Sequence, residues 1–359
     1  MANTSPYQGL PRTSFWKTAA SGRTPSTMRD VAQNDFRVRP TDRVMTAGSC
    51  FAQHIAQHLK LLGFNVLDYE PGPRRTSLEW NQAHGFDIYS GRYGNIYYVR
   101  QLKQLLEEAE GLREPSNWIW TKNEHFFDAL RPSVEPEGWD TAAEVAQERK
   151  LHLDAVRRLV RDANVFVFTL GLTEAWEHVV SGTVYPTAPG TVAGTWDPDT
   201  IRFRNFTHSE VKQDLEDVID IVNGINPDMQ FIFTVSPVAL AATAAQKNVI
   251  VANSYSKAVL RSVVGEVTDT RANAHYFPSY DIITGLNSAD RMYLPDQRSV
   301  SPETVRTIMS IFAREMVDNG VPKDVATPGS TSGSLTARES ELQSERQMCE
   351  DALLEDFAQ

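Results

Sequence analysis

Val44-Met45-Thr46-Ala47-Gly48-Ser49-Cys50-Phe51-Ala52-Gln53 runs an apolar strand pattern into an apolar-periodic helix across a turn of small residues. A side chain at such a junction stands at the carboxyl edge of a strand. It also lies beside the unpaired N–H groups that open a helix, which favour a thiolate or an oxyanion. Cys50 is therefore the first candidate nucleophile, and Ser49 the second.

Outward from the turn, strand and helix patterns alternate. Arg43 to Thr46 reads as a strand, Phe51 to Leu62 as an amphipathic helix and Phe64 to Asp68 as a second strand. Helical spacing returns over Ile96 to Ala109 and Ala142 to Asp162, and Val165 to Leu170 is a buried strand. Trp176 to Asn205, broken by glycines and prolines, reads as an excursion with turns and short strands. Ser209 to Ile225 is a helix, Gln230 to Val235 a strand, Ala244 to Val264 a helix and Ala274 to Ile283 a fifth strand pattern. Pro302 to Met316 closes the domain as a helix with Ser301 as its cap. Five strands alternating with helices imply an α/β domain, its mostly parallel sheet covered on both faces, with ligands bound beyond the carboxyl ends of the strands.

Composition narrows the function classes. The chain has 359 residues and a net charge of −11, which argues against a broad nucleic-acid footprint. No stretch approaches the roughly 20 apolar residues of a membrane span, and the start lacks a signal-peptide pattern, so the expectation is a soluble, cytoplasmic protein. Cys50 and Cys349 are the two cysteines, and their placement suggests neither a disulfide framework nor a zinc site. No metal-ligand spacing or dinucleotide glycine signature occurs, so no metal or cofactor is expected. Residues 1–320 are expected to form one domain. Residues 321–359 read as a Ser/Thr/Gly/Pro linker and an acidic tail, which would fray or dock a protein partner as a helix.

Three ordered words also carry a resemblance. Gly48-Ser49-Cys50-Phe51-Ala52, Thr169-Leu170-Gly171-Leu172-Thr173-Glu174-Ala175-Trp176 and Asn253-Ser254-Tyr255-Ser256-Lys257-Ala258 resemble the signature blocks of the GSCFA family. That family in turn resembles the SGNH, or GDSL-like, hydrolases. The resemblance runs from about Ser5 to the helix ending near Met316. It implies a three-layer α/β/α, flavodoxin-like fold with a five-stranded, mostly parallel sheet and loop and helix insertions. The implied activity is that of an acyl-ester hydrolase or acyltransferase, with a carbohydrate or glycan as a superfamily expectation. The alternative is a degenerate relative that binds a glycan or a protein partner.

Matched block by block, Gly48-Ser49-Cys50 stands where the superfamily has Gly-Asp-Ser, which puts Cys50 in the nucleophile's place. Gly94 and Asn95 resemble the second block, which supplies an oxyanion donor, and read equally as an ordinary turn and cap. Gly171, Thr173 and Glu174 take the place of Gly-x-Asn-Asp, with Thr173 replacing the Asn; a helix cap is the routine alternative. Asp296 stands for the Asp of Asp-x-x-His, but Ser299 replaces the His and is no base near neutral pH. His54 shares a helix face with Cys50 and is the tentative base, beside His178 and His275. Arg298 is a candidate clamp for a carboxylate or phosphate. Lys257, within a predicted helix, is expected to anchor structure. Phe86, Tyr89, Tyr93, Tyr97 and Tyr98 would pack the core or line an acyl or sugar pocket.

Overall fold

The computed structural model describes residues 5–32, 35–115, 118–285, 292–318 and 354. In chain order the elements are α1 (Trp16–Ala19), β1 (Arg43–Gly48), α2 (Phe51–Leu61), β2 (Asn65–Val66), α3 (Leu78–Ala83) and α4 (Val99–Ala109). Next come β3 (Ile119–Lys122), β4 (His125–Asp128), α5 (Ala142–Asp162), β5 (Val165–Leu170), β6 (Glu174–His178), β7 (Val184–Tyr185) and β8 (Ile201–Asn205). The last are α6 (His208–Ile225), β9 (Gln230–Val235), α7 (Val249–Thr270), β10 (Ala274–Tyr276), α8 (Ser279–Thr284) and α9 (Pro302–Met316).

Alternation along the strands divides the core. Met45, Ala47, Phe166, Phe168, Phe231 and Phe233 face one side of the central sheet and pack with Leu102, Val156, Leu215 and Leu260 from α4, α5, α6 and α7. Val44, Val165, Val167 and Ile232 face the other side and meet Ile55, Ile282, Ile308 and Phe312 from α2, α8 and α9. Each fully buried Phe contributes about 1.5–3 kcal/mol relative to exposure, so this pattern stabilises a three-layer α/β/α arrangement.

Every pairing in the central sheet is parallel, in the order β10-β9-β5-β1-β2. Counted along the chain within that sheet, the order is 2-1-3-4-5, the flavodoxin-like winding. The direction of winding reverses between β1 and β5, beyond Gly48 and Leu170, which is where sheets of this winding bind ligands. Side-chain caps set several helix starts: Thr141 and Thr207 form capping boxes with Glu144 and Glu210, and the Ser301 side chain accepts from Thr304 N.

Two insertions flank this scaffold. The 176–205 excursion contributes to an antiparallel sheet of order β7-β6-β8, which begins at Glu174. A hairpin, β3–β4, packs Trp120 and Phe127 with Tyr185 and Ile201 of that sheet. The fifth strand is shorter than the sequence suggests. β10 ends at Tyr276 and the apolar continuation turns into α8, which buries Ile282 and Ile283. α7 starts at Val249, later than the expected Ala244, with Asn248 accepting from Ile250 N. Among the described residues no helix is long and apolar enough to cross a membrane. The expected acidic tail lies outside the described residues, apart from residue 354.

Candidate functional site

Three of the sequence words meet at the reversal point. Gly48 pairs with Thr169 across β1 and β5, and Ser49 N donates to Thr169 O at 3.2 Å. The loop carrying Gly94 and Asn95 crosses both strand ends: Ile96 N donates to Gly48 O at 2.9 Å, and Gly171 N and Leu172 N donate to Tyr97 O at 3.1 and 3.0 Å. Two glycines permit this approach. A Cβ on Gly48, at φ +142°, would sit 2.6 Å from Thr169 O, and one on Gly171 would sit 3.0 Å from both Ser49 Cβ and Tyr97 O.

Cys50 opens α2 and is 2% exposed. It belongs to the same buried cluster as Val238, beyond β9, and Met292. The sequence reading expects no disulfide framework, yet Cys50 is disulfide-bonded. The other cysteine of the sequence, Cys349, lies outside the described residues. Ser49 does not cap α2, because Cys50 holds that position without a side-chain cap bond. The Ser49 hydroxyl is buried without a hydrogen-bond partner.

The Asn95 side chain is a brace. Its Oδ1 accepts from Tyr89 OH at 2.7 Å and Gln53 Nε2 at 3.3 Å, and its carbonyl accepts from Gln101 Nε2 at 3.0 Å. Gly94 lies at φ +67°, before the Tyr98 N-cap of α4. Of the aromatic group, Tyr89, Tyr93, Tyr97 and Tyr98 are buried in the core, with Tyr89 OH on Ser49 O and Tyr93 OH on Thr46 O. Phe86 lies under the Arg92 guanidinium.

The third block leads into a strand, so the helix-cap reading of Thr173 and Glu174 does not hold: Glu174 is the first residue of β6. The buried Thr173 hydroxyl donates to Asn205 Oδ1 at 2.8 Å, and Thr173 N donates to Ser256 Oγ at 3.1 Å. Lys257 Nζ donates to Gly171 O at 2.8 Å, which ties the third word to the second. Sequence reasoning missed Asn205, placed opposite Glu174 by the β6–β8 register. Its only signal was its place at the end of the excursion. Glu174 accepts from the Thr243 hydroxyl at 2.9 and 2.8 Å. Burial raises its carboxyl above the usual range, although Thr243, the Ala244 N–H and Lys247 oppose that.

The segment holding Asp296 joins the same end of the sheet. Tyr293 OH donates to Pro237 O at 3.1 Å and Arg298 Nε donates to Ala239 O at 3.1 Å, both beyond β9. Ser299 Oγ donates to Asp296 Oδ2 at 2.6 Å, so the Asp-x-x-Ser pair is hydrogen-bonded. Burial disfavours the Asp296 carboxylate, but the Ser299 hydroxyl and the N–H groups of Arg298 and Ser299 together hold its pKa below the usual range.

The histidines separate by position. His54 packs edge-on against Phe51, and burial lowers its pKa to about 4, leaving a neutral imidazole of weak basicity. His178, at the far end of β6, has Nδ1 2.8 Å from Ser181 Oγ. His275 stacks on Phe36 with Nε2 3.1 Å from Gln230 Oε1, at the amino end of β9 and away from the carboxyl ends of the strands. No group of three or more His, Cys, Asp or Glu suited to a metal ion occurs among the described residues.

The GSCFA family model matches residues 43–312 of the chain. No curated protein matches it. Among solved structures, the salicylyl-acyltransferase SsfX3 from a tetracycline biosynthetic pathway is similar over 45% of this chain and 40% of its own, at 15% identity and a TM-score of 0.26. A likeness that faint carries no argument.

Proposed function

The chain belongs to the GSCFA family, and on that premise we propose that it is an SGNH-like acyl-ester hydrolase or acyltransferase whose nucleophile is the reduced thiol of Cys50. One observation supports this reading: the hydrogen bonds that lock the Gly48 turn, the Gly94–Tyr97 loop and the Gly171 block together at the reversal point of a flavodoxin-like sheet. They leave Cys50 at a helix start beyond a strand's carboxyl edge, where the helix N-terminus stabilises a thiolate.

In the proposed reaction the Cys50 thiolate attacks the acyl carbonyl and the carbonyl electrons move to oxygen. Collapse of that intermediate expels the alcohol, which takes up a proton, and leaves a thioester on Cys50. Water or a hydroxyl acceptor then attacks the thioester, loses its proton and restores the thiolate. Gly94 is the proposed backbone donor to the oxyanion. Thr173 already donates to Asn205, so the Asn205 amide, beside the third block, is the better side-chain donor. With Ser299 where the superfamily carries His, and His54 weakly basic, the mechanism relies on a thiol ionised before attack. A glycan as carrier of the ester is an expectation from the resemblance.

The disulfide at Cys50 and the missing base favour a second reading, a ligand-binding relative without turnover. Reduced protein assayed against aryl esters, thioesters and acetylated sugars separates the two. Saturable turnover that vanishes in Cys50→Ala supports the enzyme. Equal turnover in that variant removes Cys50 from the mechanism, and saturable binding without turnover supports the second reading.

A further inference from the structure

Behind the Gly94–Tyr97 loop, a buried network of charges joins α4, α5 and the β3–β4 hairpin. Arg131 Nε donates to Asp128 Oδ2 at 2.7 Å, Arg149 Nη1 lies 3.4 Å from the same oxygen, and Arg149 also pairs with Glu108. Glu70 Oε2 lies 2.7 Å from His152 Nδ1 and accepts from Arg92 N at 2.6 Å. Next to this network is a cavity of ≈ 20 Å³, lined in part by His152, Arg149, Glu108, Gln101 and Tyr93. His152 is 0% and Arg149 5% exposed, yet His152 Nε2 and Arg149 Nε have no hydrogen-bond partner.

We propose that this cavity is a binding site for one water molecule, which donates to His152 Nε2 and accepts from Arg149 Nε. Size sets the number: a water needs roughly 10–15 Å³ of such space, so the cavity takes one. Both residues lie on α5 at i and i+3, which places them on the same helix face. Leaving either nitrogen dry would strand a buried polar atom that has lost its hydration.

Hydrogen-bond polarity selects water over an anion. The Glu70 carboxylate accepts from Arg92 N and faces His152 Nδ1, so Nδ1 carries the proton. Burial works against the Glu70 carboxylate, but His152, Arg131 and the Arg92 N–H hold its pKa at about 2. Burial, aided by Arg131 and Arg149, lowers His152 to about 4 despite Glu70, so the ring is neutral and Nε2 presents a lone pair. The cavity therefore offers one acceptor and one donor. Chloride accepts only and would face that lone pair, while the Arg149 charge is already matched by Glu108 and Asp128. Water meets both demands.

The site lies against the loop of the candidate active site. Gln101, which also lines the cavity, accepts from Tyr97 N at 3.0 Å and donates to Asn95 O at 3.0 Å. The water completes the polar frame on which that loop rests.

A high-resolution crystal structure of the full chain, with a second data set from a bromide soak, tests the assignment independently of any catalytic activity. One peak within hydrogen-bonding distance of His152 Nε2 and Arg149 Nε, without bromide anomalous signal, is the expected result. An empty cavity, or a bromide peak at that position, would overturn it. Nitrogen-15 shifts give a second readout in solution: an unprotonated His152 Nε2 is expected, and a protonated one refutes the polarity argument.

Discussion

Replacing Gly48 by alanine should be among the most damaging single changes in this protein. The residue sits at φ +142°, and a Cβ there would lie 2.6 Å from Thr169 O and 2.8 Å from Thr169 N, both backbone atoms that cannot swing aside. The backbone conformation alone costs an L residue about 1–3 kcal/mol. Forcing β1 away from β5 adds a further ~1–3 kcal/mol of overpacking strain. The combined cost of about 2–6 kcal/mol is a large share of a typical folding free energy of about 5–15 kcal/mol. With an unfolding entropy of about 2.1 cal/mol/K per residue over roughly 300 folded residues, Tm should fall by about 3–10 °C. Gly224, inside α6 with nothing within 4 Å of an added Cβ, provides the control. Gly224→Ala should gain about 0.5–1 kcal/mol. Paired thermal and urea melts of the two variants decide the matter. A Gly48→Ala protein that melts within a degree of the parent would refute the close approach of β1 to β5 at the site.

Three further outcomes follow from the site and its frame. Turnover through Cys50 should require a reductant, because Cys50 is disulfide-bonded; equal rates with and without a phosphine reductant would contradict that dependence. Lys257→Met strands the Gly171 carbonyl and should destabilise by about 1–3 kcal/mol, read as a shift in the urea midpoint. Stability should also depend on His152. Unfolded imidazole protonates near 6.5 and the folded ring only at about 4, so this contribution is full above pH 6.5 and falls away as the pH drops toward 4. By pH 5 the loss is about 2 kcal/mol. Urea midpoints at pH 7.5 and 5 should therefore differ less in His152→Gln than in the parent; an undiminished difference would contradict the assignment.

Much of the central scaffold was legible because buried parallel strands and capped helices write strong local signals. Val165–Leu170, Gln230–Val235, Ala142–Asp162 and Pro302–Met316 form where the patterns place them. The strand pattern from Ala274 overran its end because the apolar residues of α8 look locally like a buried strand. The β3–β4 hairpin was missed for a different reason. Its turn residues Asn123 and Glu124 both have positive φ, as a primed turn requires, but without the glycine that usually marks one. At the site, Gly48, Gly94 and Gly171 were readable as motif positions and lie close together, and Lys257 was readable as a structural anchor, although its bond to Gly171 O was not. The Asn205 partner of Thr173 depends on a contact between distant segments, which no local pattern encodes.

The central claim is acyl transfer through Cys50, and covalent capture tests it most directly. Reduced protein would be exposed briefly to an activated acyl ester and examined by intact mass and peptide mapping, with Cys50→Ala and Ser49→Ala alongside. The account predicts a single acyl adduct on Cys50 that decays with time, survives in Ser49→Ala and is absent from Cys50→Ala. An adduct on Ser49, or none on any protein under conditions where the parent turns over ester, would contradict it.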